Sequence, residues 1–287
     1  MLTRRRFLAL TTLALPGFLH ASAKRWSTLP ASLAEMEKQN GGRLGVCVIE
    51  TAAGERTGYR ENERFAMCST FKFLLVADVL QRVDRHEEKL NRAIAIPKNP
   101  LIFNSPLTEP HAGATMTVAD LCHAALTRSD NTAANLLLET IGGPARLTSF
   151  CRSIGDNVTR LDRNETSLNE AKPGDARDTT SPAAMAADLN RILLGTVLAP
   201  EARQQLMAWM EANQTGLDKL RKNLPAGWHA ADKTGNNGEN TMNDIAVFWP
   251  PSGKPILVTA YITECEGPDS KRIAILQQIG KLVMAAW

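Results

Sequence analysis

The sequence predicts an α/β fold of two lobes: an antiparallel sheet assembled from both chain ends and flanked by helices, with an all-α lobe inserted between them. Three observations carry this. Strand patterns occur near the two ends, at 44–60 and 228–262. Helical spacing dominates between them, up to about residue 221. The length of 287 residues, 44% hydrophobic and 22% charged, suits one large domain or two closely packed lobes. A formal charge of +3, with no basic run beyond the N-terminus, argues against nucleic acid as a partner.

The elements follow in order. Arg4-Arg5-Arg6, the apolar stretch Phe7 to Leu19 and Ala21-Ser22-Ala23 form an export signal spanning 1–23, cleaved near Ala23. It is too short for a bilayer span, which takes about 20 apolar residues. Thr3 to Leu8 resembles a twin-arginine motif, and a general secretory signal is the alternative. Either route exports the chain, here to the periplasm, with no membrane attachment after cleavage. The mature domain is then 24–287, with an α/β lobe from about 24–64 and 222–287 and an all-α lobe from about 65–221.

Pro30 to Gln39 reads as a helix stopped by Asn40-Gly41-Gly42, and Leu44 to Ile49 with Arg56 to Arg60 reads as a hairpin. A helix then runs to about Val83. Further helices are expected at Val118–Ala125, Thr132–Ile141, Ala145–Arg152, Pro182–Leu194 and Glu201–Met210. Between Val158 and Ser181 periodicity fails, and a loop that long inside a compact domain is usually functional. Strands return at Trp228–Thr234, Asp244–Trp249 and Ile256–Ile262, and a helix over about 270–286 closes the chain. Cys47, Cys68, Cys122, Cys151 and Cys265 show no metal-ligand spacing and no disulfide framework, so free, buried thiols are expected.

The stretch Met67-Cys68-Ser69-Thr70-Phe71-Lys72-Phe73-Leu74-Leu75 sets a lysine inside an apolar run, an unusual place for an unpaired cation. Three residues apart, Ser69 and Lys72 share one helix face. A serine hydroxyl is a poor nucleophile until a base takes its proton, and a desolvated lysine is one such base. Alone the pair means little, because Ser-x-x-Lys arises by chance and serine is an ordinary helix cap. Ser129-Asp130-Asn131 between two helices, Glu165 to Asn169 in the long loop and Lys233-Thr234-Gly235 in the first C-terminal strand change that weighing.

In this order the four stretches resemble the class A serine β-lactamases, whose signatures with those of penicillin-binding proteins are Ser-x-x-Lys, Ser-Asp-Asn and Lys-Thr-Gly. Thr132 to Leu137, Gly142-Gly143-Pro144, Arg160 to Arg163 and Arg177 to Thr180 extend the likeness through the mature chain. The resemblance implies a serine β-lactamase/penicillin-binding-protein-like fold with the site between the lobes and a catalytic loop at about 160–178. It implies Ser69 as the nucleophile, with the backbone N–H groups of Ser69 and Asn236 as the oxyanion hole. Lys72 and Glu165 are the candidate bases, Ser129 the proton relay, and Lys233 a nearby positive charge. Asn131, Thr234, Gly235 and Asn236 would bind substrate, and Glu165 with Asn169 would hold the hydrolytic water. Asp130 reads as a cap, and Arg163 with Asp178 as an ion pair closing the loop. A small-molecule β-lactam (penicillin or cephalosporin) is the implied partner; no cofactor or metal is implied, and a monomer is expected.

The chain departs from the family at several points. Thr166 follows Glu165 where many members have proline, and the peptide between them is expected to stay cis. Asn237 and Val76 stand where other members carry cysteines that would bridge to Cys68 and Cys122, so no disulfide is expected. Met242 replaces an arginine that binds the substrate carboxylate, leaving Lys219, Arg221 and Arg272 as candidates. Asn104 stands where an aromatic commonly lines the cleft, with Phe103 beside it. A D,D-peptidase and a β-lactam sensor share the Ser-x-x-Lys chemistry. Glu165 with Asn169 argues against the first, and the lack of a membrane tether after signal cleavage against the second. A Ser-His-Asp hydrolase lacks its Gly-x-Ser-x-Gly, and His86-Glu87 has no second histidine four residues on for a metal hydrolase.

Overall fold

The computed structural model describes residues 25–287 apart from 100 and 252, so the expected export signal lies outside the described residues. Helix α1 (Leu29–Asn40) has Pro30 in its first turn, and Gly41 takes a φ of 69° at its end. Strands β1 (Arg43–Glu50) and β2 (Glu55–Tyr59) form the expected hairpin. At the far end of the chain β7 (His229–Asn236), β8 (Met242–Trp249) and β9 (Ile256–Thr263) form an antiparallel meander. The two parts join through β1 and β9, with Val46 opposite Ala260, giving the five-stranded order β2-β1-β9-β8-β7. The expected α/β sheet built from both ends is thus the one observed.

Strands buried on both faces lose polar alternation, and β9 is buried at every position. One face, including Val46, Val48, Phe248 and Val258, packs under α1 and α8 (Asp269–Ala285). The other contributes Ala231, Ile245, Val247, Leu257 and Tyr261 to the larger helical core. At the centre of that core is α2 (Phe71–Asp84), buried from Phe71 through Gln81. It is surrounded by α3 (Val118–Thr127), α4 (Asn131–Ile141), α5 (Pro144–Ser153) and α7 (Pro200–Glu211). A helix packed all round has no solvent face to keep polar, which explains the apolar run from Phe73 to Ala77.

The expected helix Pro182–Leu194 is α-helical only as α6 (Pro182–Leu189) and continues as a π-helical turn through Leu194. Although it falls in the stretch assigned to the inserted lobe, α6 packs on β1 and β9. Two ribbons went unrecognised: β3 (Phe65–Ala66) with β6 (Thr179–Thr180), and β4 (Ala93–Ala95) with β5 (Thr115–Thr117). Two or three residues are too few for alternation to register.

All five cysteines are free and buried. Desolvation pushes the Cys47 thiol up to about 12 and those of Cys68, Cys122 and Cys151 higher still. Among the described residues no group of three or more His, Cys, Asp or Glu is placed to hold a metal ion, and no helix is long and apolar enough to cross a membrane.

Candidate active site

Ser69 lies in a 3₁₀ turn, Cys68–Thr70, that leads into α2, rather than in the helix itself. Cys68 takes a left-handed φ of 44°, a conformation that costs a non-glycine residue on the order of 1 kcal/mol. The surroundings enforce it. Asn243 of β8 donates to the carbonyls of Ala66 (2.9 Å) and Met67 (3.0 Å), and Met67 N donates to Asp178 O at 2.9 Å. Gly235 of β7 presses on the same turn. A Cβ there would stand 2.7 Å from Met67 O and 3.2 Å from Ser69 N, so only glycine lets the strand approach.

Lys72 is fully buried with all its donors engaged. Its Nζ lies 3.0 Å from Ser69 Oγ, 2.9 Å from Ser129 O, 2.6 Å from Asn131 Oδ1 and 2.9 Å from Glu165 Oε1. A buried lysine amine is tolerated only when it is paired and hydrogen-bonded, and these groups supply both. Ser129 also takes a left-handed φ, 55°, which turns its hydroxyl toward two amines: Lys233 Nζ at 3.1 Å and Lys72 Nζ at 3.4 Å. Asp130 caps α4 by accepting from Ala133 N. It also accepts from the N–H groups of Leu107 and Thr108 and from the Thr108 hydroxyl, and its side chain does not line the cleft.

The long loop brings Glu165 back across the cleft. Arg163 and the fully buried Asp178 pair at 2.6 Å, and Asp178 Oδ1 also accepts from the N–H groups of Asp162 (2.7 Å) and Arg163 (3.0 Å). Asn135 of α4 grips the Glu165 backbone in both directions, accepting from its N–H and donating to its carbonyl, each at 2.9 Å. The Glu165–Thr166 peptide is cis, as expected. Glu165 Oε1 then lies 3.3 Å from Ser69 Oγ, and Asn169 Nδ2 donates to Oε2 at 2.7 Å.

Burial, and secondarily the neighbouring Lys72, bring the Lys233 amine down to about 7 against the pull of Asp232 and Asp244. The cleft measures about 740 Å³, a size that suits a small organic ligand. Ser69, Ser129, Asn131, Asn169, Thr234, Gly235 and Asn236 line it. Lys72, Glu165 and Lys233 lie directly behind these residues, joined to Ser69 or Ser129 by hydrogen bonds, whereas Arg163 and Asp178 stand at the base of the loop. Lys219 lines the cleft too, but Arg221 and Arg272 do not. Arg221 is turned behind β7 onto Asp232, and Arg272 is buried in α8, donating to Cys265 O and Gly267 O. These two drop out as carboxylate ligands. Asn135 and Asn243 were missed; an asparagine inside the apolar run Ala133 to Leu138 was the available signal for the first.

A serine hydroxyl within hydrogen-bond reach of a buried lysine and a loop glutamate, between an antiparallel sheet and a helical lobe, is the arrangement that the resemblance to the class A serine β-lactamases implies. Residues 28–287 match the family described as "Beta-lactamase enzyme family". β-Lactamase L2 of Stenotrophomonas maltophilia is 45% identical over 98% of each chain, and CTX-M-8 of Citrobacter amalonaticus is 45% identical over 88% of this chain and 86% of its own. Among solved structures, a reconstructed ancestral class A β-lactamase superposes with a TM-score of 0.89 at 59% identity, covering 90% of this chain and 100% of its own. A β-lactamase of Xanthomonas campestris gives a TM-score of 0.89 at 49% identity, covering 91% and 98%. The chain belongs to the β-lactamase enzyme family and, within it, to class A.

Proposed function

We propose that the protein hydrolyses the amide bond of penicillins and cephalosporins through an acyl-enzyme on Ser69. The observation that carries this reading is the position of Glu165, one oxygen within reach of Ser69 Oγ and the other held by Asn169. Ser69 Oγ attacks the lactam carbonyl carbon while its proton passes to Glu165 or Lys72, both within hydrogen-bond distance. The developing oxyanion is met by the N–H groups of Ser69 and Asn236, a contribution typically about 3 kcal/mol per donor. Ser129, flanked by two amines, hands a proton to the lactam nitrogen as its C–N bond breaks. Glu165 then takes a proton from water, which attacks the ester carbonyl and frees Ser69. Buried Asn169 Oδ1 has no protein partner, which suits it to orient that water. Asn131 would meet the substrate's side-chain amide, and Thr234, Lys233 and Lys219 its carboxylate. The leader pattern at 1–23 supports export and work in the periplasm.

Counting turnovers of a chromogenic cephalosporin by purified protein tests the reading. Many turnovers per molecule are expected; one stoichiometric burst with the acyl mass retained would instead indicate a peptidase or sensor.

A second expectation concerns pH. A substrate carboxylate favours charged Lys233, whose amine burial brings down to about 7. Binding therefore weakens as the proton is lost, and KM for a penicillin should rise at least about tenfold from pH 7 to pH 9. Michaelis–Menten series across that range check it. A flat KM would remove the charge of Lys233 from substrate recognition.

A further inference from the structure

We propose that Asn213, a residue outside the cleft, is a positioning residue that sets the hydroxyls of Thr215 and Thr234 for recognition of the substrate's anionic group. The inference rests on the reading of the cleft given above. Asn213 follows α7, is fully buried, and does not line the cleft. Its Nδ2 donates to Asp232 Oδ2 at 2.5 Å. Asp232 is itself fully buried on β7 and ion-paired with Arg221 at 2.8 Å, and Arg221 also donates to the carbonyls of Asn213 and Glu211. Gly216 seats this carboxylate. A Cβ at Gly216 would fall 1.8 Å from Asp232 Oδ2, so the loop closes on the acid only without a side chain there.

The carboxylate fixes the direction of the amide. With Nδ2 committed to Asp232, Oδ1 must face Thr215, and there it accepts from Thr215 N at 2.9 Å and Thr215 Oγ1 at 2.8 Å. A hydroxyl has one proton. Because Thr215 spends its proton on Asn213, it is the acceptor in its 2.5 Å contact with Thr234 Oγ1, and Thr234 is the donor. The hydrogen bonds therefore run in one direction, from Thr234 to Thr215 to Asn213, ending on the amide that Asp232 anchors. Thr215 and Thr234 both line the cleft beside Lys219, whose Nζ donates to Thr215 O at 2.9 Å. The orientation of two substrate-facing hydroxyls is thus written from behind the strand. When a carboxylate enters, Thr234 can turn its proton to it while Thr215 turns to Thr234, and the Thr215 N–H keeps Asn213 Oδ1 satisfied throughout.

The test compares Asn213→Ala and Thr215→Val with the unaltered protein on a penicillin and on its carboxyl methyl ester. In Asn213→Ala the acid-to-ester ratio of kcat/KM should shrink about tenfold, through KM, with kcat for the acid within about twofold. Thr215→Val breaks the chain without touching Asp232 and should shrink the ratio similarly. The double variant should be no worse than Thr215→Val alone, because Asn213 acts through Thr215. If acid and ester decline in parallel, or the two substitutions multiply, the role is merely structural and the proposal falls. If Asn213→Ala does not fold, an unchanged ratio in Thr215→Val overturns the proposal by itself. No turnover by the unaltered protein would instead sink the underlying reading of the site.

Discussion

Replacing Glu165 by alanine is expected to leave a protein that takes up one β-lactam and stops. Acylation retains Lys72 as a base 3.0 Å from Ser69 Oγ, whereas attack of water on the ester has lost its proton acceptor. General-base removal typically costs 10²–10⁴-fold, so steady-state kcat should fall by about 10³ or more. Mass spectrometry of the variant with a penicillin should show the acyl adduct persisting for minutes. Loss of the initial burst would mean that Glu165 is needed for acylation as well. Rapid product release would remove it from the deacylation step. Ser69→Ala supplies the contrast, with no adduct at all.

The second large effect is expected from Asp178→Ala. That carboxylate receives two backbone N–H groups and the Arg163 guanidinium at 2.6 Å, all at the base of the loop. Removing it leaves those donors without their acceptor, and breaking a buried pair from one side costs about 3–5 kcal/mol. A melting temperature lower by on the order of 10 °C is expected. Because the Asp178 carbonyl also holds Met67 N, just before Ser69, the damage should reach both acylation and deacylation. Asp178→Asn, which keeps one acceptor oxygen, should recover part of the loss. A melting temperature unchanged in the alanine variant would show that the loop is fastened elsewhere.

Much of this molecule was legible from its residues. Helix spacing gave α1 to α5 and α7 to within a few positions, since each carries a strongly periodic apolar stripe or a clear stop. Lys72 announced itself by standing in a run with no other polar side chain until Asp78, and the structure shows the acceptors that such a lysine needs. Other features were illegible for physical reasons. The nearness of Arg221 to the Lys-Thr-Gly strand in sequence said nothing about which side of the sheet it would occupy, and the buried charge of Asp232 drew it to the rear. Arg272 was claimed by carbonyls at the start of its own helix. Asn243 donates to the carbonyls of Ala66 and Met67, more than 170 residues away in sequence, contacts with no local spacing to betray them. The change from α to π winding after Leu189 leaves the same apolar residues facing inward, so periodicity cannot see it.

The ladder between β1 and β9 sets a rule for how the chain is made. Val46 finds its partner Ala260 only after every intervening residue has been synthesised, and closing so large a loop carries an entropic toll that delays pairing. Until then the N-terminal hairpin presents a bare edge, open to association with other nascent strands. The sheet is therefore completed only once β9 has been made, and that late strand decides when the first one is secure.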